Sequence, residues 1–383
     1  GIGAIAAAGI LGILRSWRVI AKAFSFKAIF GGAKLASGES ERTDRDLPMR
    51  VILAGLVAVA LVAWAFFRFG VLDASPNVAT QSLIALLVVI VISFLFTSVA
   101  ARAIATVGTN PVSGMTLMTL ILTSLFLVEA GLSGKAGMLA ALLIGGVVCT
   151  ALSMAGGLIT DLKVGYWIGA TPAVQQRSKF LGTIVAALSV GSVLLLLNKV
   201  YGFVPGPDHP AGQVLAAPQA NAMAAVIKTL MSAEPVPWLL YGTGALIAIS
   251  MQMIGVPALA FALGMYIPLE LNTPLLVGGF IAHLVTKSAG PDEKLASARN
   301  SRGILIASGF IAGGAVMGVV ATVFKYLATD EKVAGAIGTG IPSFFAWNFG
   351  FGEGKGPELL AIGAYVLLAA YMYWDARRTN GEG

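Results

Sequence analysis

The chain alternates long apolar runs with short charged connectors. A helix of about 20 apolar residues crosses a hydrocarbon core about 30 Å thick. Eight runs have or approach that length, at about residues 51–67, 82–101, 113–131, 136–157, 180–198, 237–256, 302–326 and 358–375. The pattern predicts an all-α fold, a polytopic transmembrane helix bundle that forms a single membrane domain over residues 1–383.

Two regions depart from this pattern. The segment 257–285 holds two shorter runs separated by the polar stretch 268–274, and neither run spans a bilayer comfortably. It predicts a broken or re-entrant pair of short helices. Residues 1–14 predict a partial helix too short to cross alone, as expected if the chain were an N-terminally truncated protein.

Positive charge gives the expected orientation. Residues 15–50 carry eight Lys and Arg residues, which marks this connector as cytoplasmic. The resulting threading puts 18 of the 25 Lys and Arg residues inside, and it predicts a cytoplasmic C-terminus and outer loops at 199–236 and 327–357. The first of these loops has helical spacing of apolar residues, which predicts an interfacial amphipathic helix built on Ala222, Met223, Val226, Ile227, Leu230 and Met231.

Composition excludes several function classes. Charged residues make up only 11% of the chain, and the net charge of +7 is spread over connectors rather than gathered in a patch, which argues against nucleic acid as a partner. A single Cys149 and two His residues exclude an internal disulfide and argue against a transition-metal site or a metal cofactor. Common hydrolase, metalloprotease and phosphate-loop motifs are missing, so we expect a protein that is not an enzyme and whose main partner is the lipid bilayer.

The turn Gly108–Met115 is the sharpest local signal, because Asn110 before Pro111 is a good helix N-cap and first helical residue. A helix beginning there would offer free backbone N–H groups to an anion such as a substrate carboxylate. Broken helices in transporters bind substrates in this way. The turn therefore predicts a binding site that includes Asn110, Pro111, Ser113 and Gly114, with an ordinary loop cap as the alternative.

A second predicted break, Leu271–Pro274, also contains an Asn and a Pro. It makes Asn272 a further candidate binding residue. It begins from the opposite side in this threading, so the two breaks would fit an inverted repeat. Only an Asn and a Pro match, at different spacing, so chance is the alternative.

Few ionisable residues lie near the apolar runs, and charge inside a membrane is costly enough to suggest function. Glu129 and Glu270 are candidates for carrying a coupling proton, with contact to water at the interface as the alternative. Asp161 and Lys163 are expected to form a local pair at the cytoplasmic side. His283 is expected to be a packed helix residue.

Five segments together resemble the oligopeptide transporter (OPT) family, and more closely its bacterial and Yellow Stripe-like branch. They are Glu41–Pro48, Asn110–Met115, Ile159–Tyr166, Leu215–Ala220 and Pro257–Gly279, in an ordered set within residues 41–375. The resemblance implies a secondary active transporter, generally proton-coupled, that moves oligopeptides or peptide-like metal chelates as its substrates. The resemblance also implies that the matching residues take part in substrate binding. These are Asn110, Pro111, Ser113, Gly114, Asp161, Lys163 and Tyr166.

Members of this family are usually much longer, so the resemblance also implies a C-terminal portion of a transporter in a bacterial inner membrane. A passive channel, or a fragment that needs its N-terminal half in order to transport, are the alternatives. Self-association into a homo-oligomer stays open.

Overall fold

The computed structural model describes residues 1–23, 41–72, 77–107, 112–207, 214–215, 217–232, 237–266, 269–329 and 355–379. Within these ranges the chain forms twelve α-helices and no strand, which confirms the predicted all-α membrane bundle. The helices are α1 Ile2–Ala23, α2 Met49–Phe66, α3 Val78–Val107, α4 Val112–Glu129, α5 Gly134–Ile168, α6 Pro172–Val200, α7 Pro218–Met231, α8 Trp238–Met253, α9 Ala258–Tyr266, α10 Leu269–Lys287, α11 Glu293–Thr329 and α12 Lys355–Arg377.

Six helical segments in the described ranges are long and apolar enough to cross a membrane. They are Arg42–Val71, Val78–Ala101, Gly134–Ile168, Pro172–Val200, Glu293–Leu327 and Leu359–Arg377. The runs expected at 113–131 and 237–256 form the shorter helices α4 and α8, of 18 and 16 residues. At about 1.5 Å per residue these reach only about 27 and 24 Å, short of the hydrocarbon thickness.

The chain divides into two compact units, where the sequence predicted one membrane domain. Unit 1 comprises Gly1–Val185 with Ala217–Ile267, and unit 2 comprises Ala186–Ala216 with Pro268–Gly383. Each unit is described below by itself.

Unit 1 is built around α4. Every residue from Gly114 through Leu120 is buried, so this helix has no solvent- or lipid-facing side over that stretch. It packs against α1, α3, α5 and α7. A helix surrounded by others has no need of a polar face, which explains why its apolar residues occur on all sides.

Small residues bring the helices of unit 1 close together. A side chain at Gly3 of α1 would collide with the backbone of Tyr241 in α8, and one at Gly244 of α8 would lie 3.1 Å from the backbone nitrogen of Ala4. On the other side of the unit, Leu120 of α4 fills the space that a side chain at Gly145 of α5 would need. Close backbone approach of this kind is a main source of helix association in lipid.

The helices α2 and α6 contain no buried residue. Val62 of α2 is 70% exposed and Leu195 of α6 is 74% exposed. Apolar side chains exposed in this way are suited to contact with lipid acyl chains.

Two predicted segments differ from the structure in unit 1. Helix α1 does not end at residue 14 but continues to Ala23, and its 22 residues measure about 33 Å. The predicted interfacial helix exists as α7, yet Val226, Ile227 and Met231 are 0–2% exposed because the helix packs against α4 and α5. Its apolar face packs into the protein core rather than on a membrane surface, so the prediction of an interfacial helix is wrong.

Unit 2 contains α10, α11 and α12, which pack against one another. Arg302 of α11 makes two hydrogen bonds of 3.0 Å to the carboxylate of Asp375 in α12. Arg299 reaches the carbonyl oxygen of Ser288 at 2.8 Å, and Lys199 donates to the hydroxyl of Tyr326 at 2.8 Å. Polar contacts near the helix ends are therefore prominent in this unit.

The break expected at Leu271–Pro274 is not present, because these residues lie inside α10, which starts at Leu269. Pro274 falls in the second turn of the helix, and the Thr273 hydroxyl donates to the carbonyl oxygen of Leu269 at 2.8 Å. The proline removes one backbone bond, and the helix nevertheless continues through it to Lys287. In place of the predicted pair of short helices the structure has α9 with 9 residues and α10 with 19, and residues 267–268 between them are outside the described residues.

Candidate functional site

The predicted binding turn leads directly into the buried helix of unit 1. Asn110 and Pro111 lie outside the described residues, and α4 begins at Val112. Gly114, in the first turn, is already buried. The first four N–H groups of a helix have no partner inside it, so a helix that starts next to a buried position can offer donors and a positive dipole end to an anion.

The body of α4 carries four buried hydroxyl groups that the sequence analysis did not single out. Thr116 and Thr119 donate to the carbonyl oxygens of Val112 and Met115 at 2.7 and 2.9 Å. Thr123 and Ser124 are 0% exposed, and their hydroxyls have no hydrogen-bond partner among the described residues. Leaving a buried hydroxyl unpaired costs about 1–3 kcal/mol. The spacing of these residues was the available signal, since positions 116, 119 and 123 share one helix face.

A polar cluster occupies the C-terminal end of α5. The carboxylate of Asp161 pairs with Lys179 of α6, and Gln175 donates to the carbonyl oxygen of Asp161 at 3.1 Å. The predicted pair of Asp161 with Lys163 is wrong. Residues two apart on a helix point in different directions, whereas the turn between α5 and α6 brings Lys179 alongside Asp161.

Lys163 lies instead over two aromatic rings on its own helix. Its Nζ atom is 5.2 Å from the ring centre of Tyr166 and 5.3 Å from that of Trp167. Both rings face outward, with Tyr166 77% and Trp167 70% exposed. Exposed aromatic and basic residues at the end of a membrane helix are typical of anchoring at the lipid headgroups.

The start of α4 and the charged end of α5 are at different levels. Leu120 packs on Gly145, so in this antiparallel pair Gly114 lies near the level of residue 151. Asp161 is ten residues further along α5, which corresponds to about 15 Å. The structure therefore does not bring Gly114 and Asp161 into one contact cluster: the α4 end is deeper in the bundle, and the charged pair lies nearer the surface.

The connector segment Glu41–Pro48 docks on the turn between α5 and α6. Arg42 donates to Thr171 Oγ1 at 3.0 Å and to the carbonyl oxygen of Gly169 at 2.8 Å. The side-chain oxygen of Gln176 accepts a hydrogen bond of 2.8 Å from the backbone N–H of Leu47. Its side-chain nitrogen donates to the carboxylate of Asp46 at 2.9 Å. We call this set of bonds the connector clasp. It fixes Glu41–Pro48, one of the segments that resemble the OPT family, against the turn that follows another of them, Ile159–Tyr166.

The remaining predicted residues are spread over both units. Glu129 is exposed at the C-terminal end of α4 in unit 1. In unit 2, Glu270 and Asn272 lie in the first turn of α10, and Asn272 is half-buried. In the described part of the chain, no group of three or more His, Cys, Asp or Glu residues is placed to hold a metal ion.

Unit 1 also contains an apolar cavity of about 510 Å³. It lies between α1 and α8 and is closed on one side by α4 and α7, with linings that include Ala7, Leu11, Ile121, Val226 and Ala245. Side chains of this kind offer no partners to a charged or strongly polar solute. The cavity therefore does not suit the termini of a peptide.

Comparison with known proteins identifies the family of the chain. The family described as OPT oligopeptide transporter protein matches residues 1–325. The chain belongs to the OPT family. It is 30% identical, over 355 residues, to a Haemophilus influenzae protein that is named as a candidate oligopeptide transporter. The match covers 84% of this chain and 55% of that relative, so this OPT chain spans about half the relative's length.

A second relative, a candidate oligopeptide transporter of Saccharomyces cerevisiae, is 26% identical over 119 residues, which is 31% of this OPT chain and 16% of the yeast protein. No solved structure matches the chain at a significant level. The resemblance inferred from the five segments is thus confirmed at the level of the family.

Proposed function

We propose that this OPT protein is part of a secondary active transporter that carries oligopeptides or peptide-like metal chelates across a bacterial inner membrane, coupled to protons. The observation that supports the proposal best is the burial of α4 from Gly114 onward, directly after Asn110 and Pro111. A helix start inside a membrane bundle can hold a substrate carboxylate through backbone N–H groups. Peptides and their metal chelates both carry such a carboxylate.

The other predicted residues take supporting roles in this proposal. Asp161, paired with Lys179, would meet the substrate nearer the cytoplasmic surface, and the C-terminus would lie on the same side. Tyr166 and Lys163 would fix α5 at the interface, and Asn272 remains a candidate binding residue on α10. Glu129 and Glu270 remain the candidates for the coupling proton.

Transport is tested by uptake in proteoliposomes, with di- to pentapeptides competing against iron and nickel chelates. Accumulation of peptide that stops when the proton gradient is collapsed would support a coupled transporter. Flux without saturation, or flux that is indifferent to the gradient, would favour a passive channel. An absence of flux in the reconstituted chain would favour a part that needs further protein.

The carboxylate site is tested by Asn110→Ala and Ser113→Ala. We expect each to raise the KM for peptides, and to raise it less for peptides whose C-terminus is amidated, because these lack the charge that the helix start would bind. Ser192→Ala is the control, because its hydroxyl is exposed on α6 and donates to the carbonyl oxygen of Leu188 in the same helix. An equal KM for the wild type and both variants would show that the start of α4 does not bind the substrate carboxylate.

A further inference from the structure

Four buried hydroxyl side chains share one side of α4. Thr116, Thr119, Thr123 and Ser124 are 0–3% exposed. At 3.6 residues per turn they fall within an arc of about 140° around the helix axis. We call this side the hydroxyl face of α4.

The two halves of the hydroxyl face differ in their hydrogen bonds. Thr116 and Thr119 bond to the carbonyl four residues earlier, which is the usual partner of a threonine inside a helix. Thr123 and Ser124 have equivalent carbonyls available and do not use them, and neither has another partner among the described residues. Both side chains are therefore fully buried without a hydrogen-bond partner among the described residues.

The hydroxyl face lies toward α5, where the neighbouring side chains are small. Leu120 lies within the same arc and packs on Gly145, so Ser124 is near the level of Ala141 in the antiparallel pair. Ala140 and Ala141 are both 0% exposed. The side chains of α5 at this level are therefore single methyl groups, which offer the two hydroxyls no hydrogen-bond partner.

Ser93 of α3 adds a third hydroxyl without a hydrogen-bond partner in the described ranges, and α3 packs against both α4 and α5. Buried polar groups in proteins are nearly always paired, and where side chains and backbone do not pair them, ordered water usually does. Three such hydroxyls on two contacting helices are consistent with bound water rather than with isolated defects.

We propose that the hydroxyl face of α4 is a hydrated seam, in which Thr123 and Ser124 hold water inside the apolar bundle. The seam extends about 12 Å from Thr116 to Ser124. The end of the seam at Thr116 lies one turn from Val112, so the seam connects the start of α4 with the interior of unit 1. Water held there gives protons and small polar solutes a route that the surrounding Leu, Ile and Val side chains do not offer. The proposal stands whether or not peptides are the substrate.

Single cysteines test whether water reaches the seam. Thr123→Cys and Ser124→Cys are made in the full chain with Cys149→Ala, and the membranes are exposed to silver ions. The remaining thiols are then labelled with a maleimide after denaturation. Met118→Cys is the control, because Met118 is 7% exposed on the opposite side of α4, next to Gly9 of α1.

Silver reacts with thiolates, which form only where water is present, so we expect residues 123 and 124 to react at least about tenfold faster than residue 118. Equal rates at the three positions, or no reaction at 123 and 124, would overturn the proposal.

Thr123→Val provides a second readout that needs no reactive probe. If Thr123 holds water, removal of the hydroxyl takes away a partner of that water, and the thermal unfolding midpoint falls below that of the wild type. If the hydroxyl is dry and unpaired, the same change removes an unpaired polar group and the midpoint rises. Thr119→Val is the control for the change of shape, because its hydroxyl is already paired with Met115. A midpoint for Thr123→Val equal to or above that of the wild type would contradict the proposal.

Discussion

The two units hold their helices together in different ways. In unit 1, Ile5, Ile144 and Leu152 are fully buried and glycines let the backbones touch. In unit 2, apolar residues of α11 such as Leu305 and Ile311 are 72% and 75% exposed, and polar contacts join the helices near their ends. Lipid is as apolar as leucine, so apolar composition alone cannot tell a core helix from a lipid-facing one. Side-chain size and polar partners make that difference here.

The largest effect is expected from Gly3→Leu in unit 1. The new side chain would collide with the backbone of Tyr241, which cannot move without separating α1 from α8. We expect a loss of about 3 kcal/mol in the free energy of unfolding, measured by denaturant titration in detergent micelles. The control is Gly55→Leu in α2, where no atom lies within 4 Å of an added Cβ. A comparable loss in the control would mean that the close crossing is not what stabilises unit 1.

A matched pair of isoleucines separates the units more directly. Ile144 of α5 is 0% exposed, whereas Ile304 of α11 is 58% exposed. Ile144→Ala leaves a cavity and should cost about 2–3 kcal/mol, at the lower end for buried isoleucines because lipid is apolar in the reference state as well. Ile304→Ala should change the unfolding free energy by at most about 0.5 kcal/mol. Equal losses would show that α11 is covered as completely as α5.

The ion pair of unit 2 is expected to contribute less and to act locally. Arg302→Gln and Asp375→Asn each remove one partner of the bidentate contact between α11 and α12. We expect faster hydrogen exchange in α12 and no change in α4, and the double variant should lose no more than either single one because the two residues act as a unit. Additive losses would contradict this. Arg377→Gln is the control, since Arg377 contacts Tyr373 of its own helix.

The sequence predicts the fold class and the family because both depend on patterns along the chain. Apolar runs of a set length identify membrane helices, and five ordered segments identify the OPT family. Burial is harder to predict, since it depends on which helices become neighbours. The apolar spacing of α7 is the same for a membrane surface and for a protein core, so the sequence alone did not show that α7 packs on α4.

The candidate site shows the same limit. Asp161 has a cation two residues away in sequence, but its partner Lys179 is 18 residues away, across the turn that ends α5. Gly169 ends that helix with a positive φ of 68°, which turns the chain back and brings α6 alongside. A pair formed across such a turn becomes visible only once the helix end is located.

The smallest expected effect concerns the connector clasp. It joins the connector segment to unit 1 through hydrogen bonds and not through buried apolar contacts. Gln176→Ala removes the partner of the Leu47 N–H and of the Asp46 carboxylate together. The bond to the Leu47 N–H is partly exposed and the bond to the Asp46 carboxylate is exposed, so each contributes only about 1 kcal/mol and overall unfolding should change little. The local effect should be clear: hydrogen exchange at Leu47 should accelerate, while the bond from Ala173 to the Arg45 carbonyl keeps the segment near α6.

Arg177→Ala, at an exposed neighbouring position, is the control. Unchanged exchange at Leu47 would mean that Gln176 does not hold the connector, and a large loss of overall stability would mean that the clasp is part of the core of unit 1.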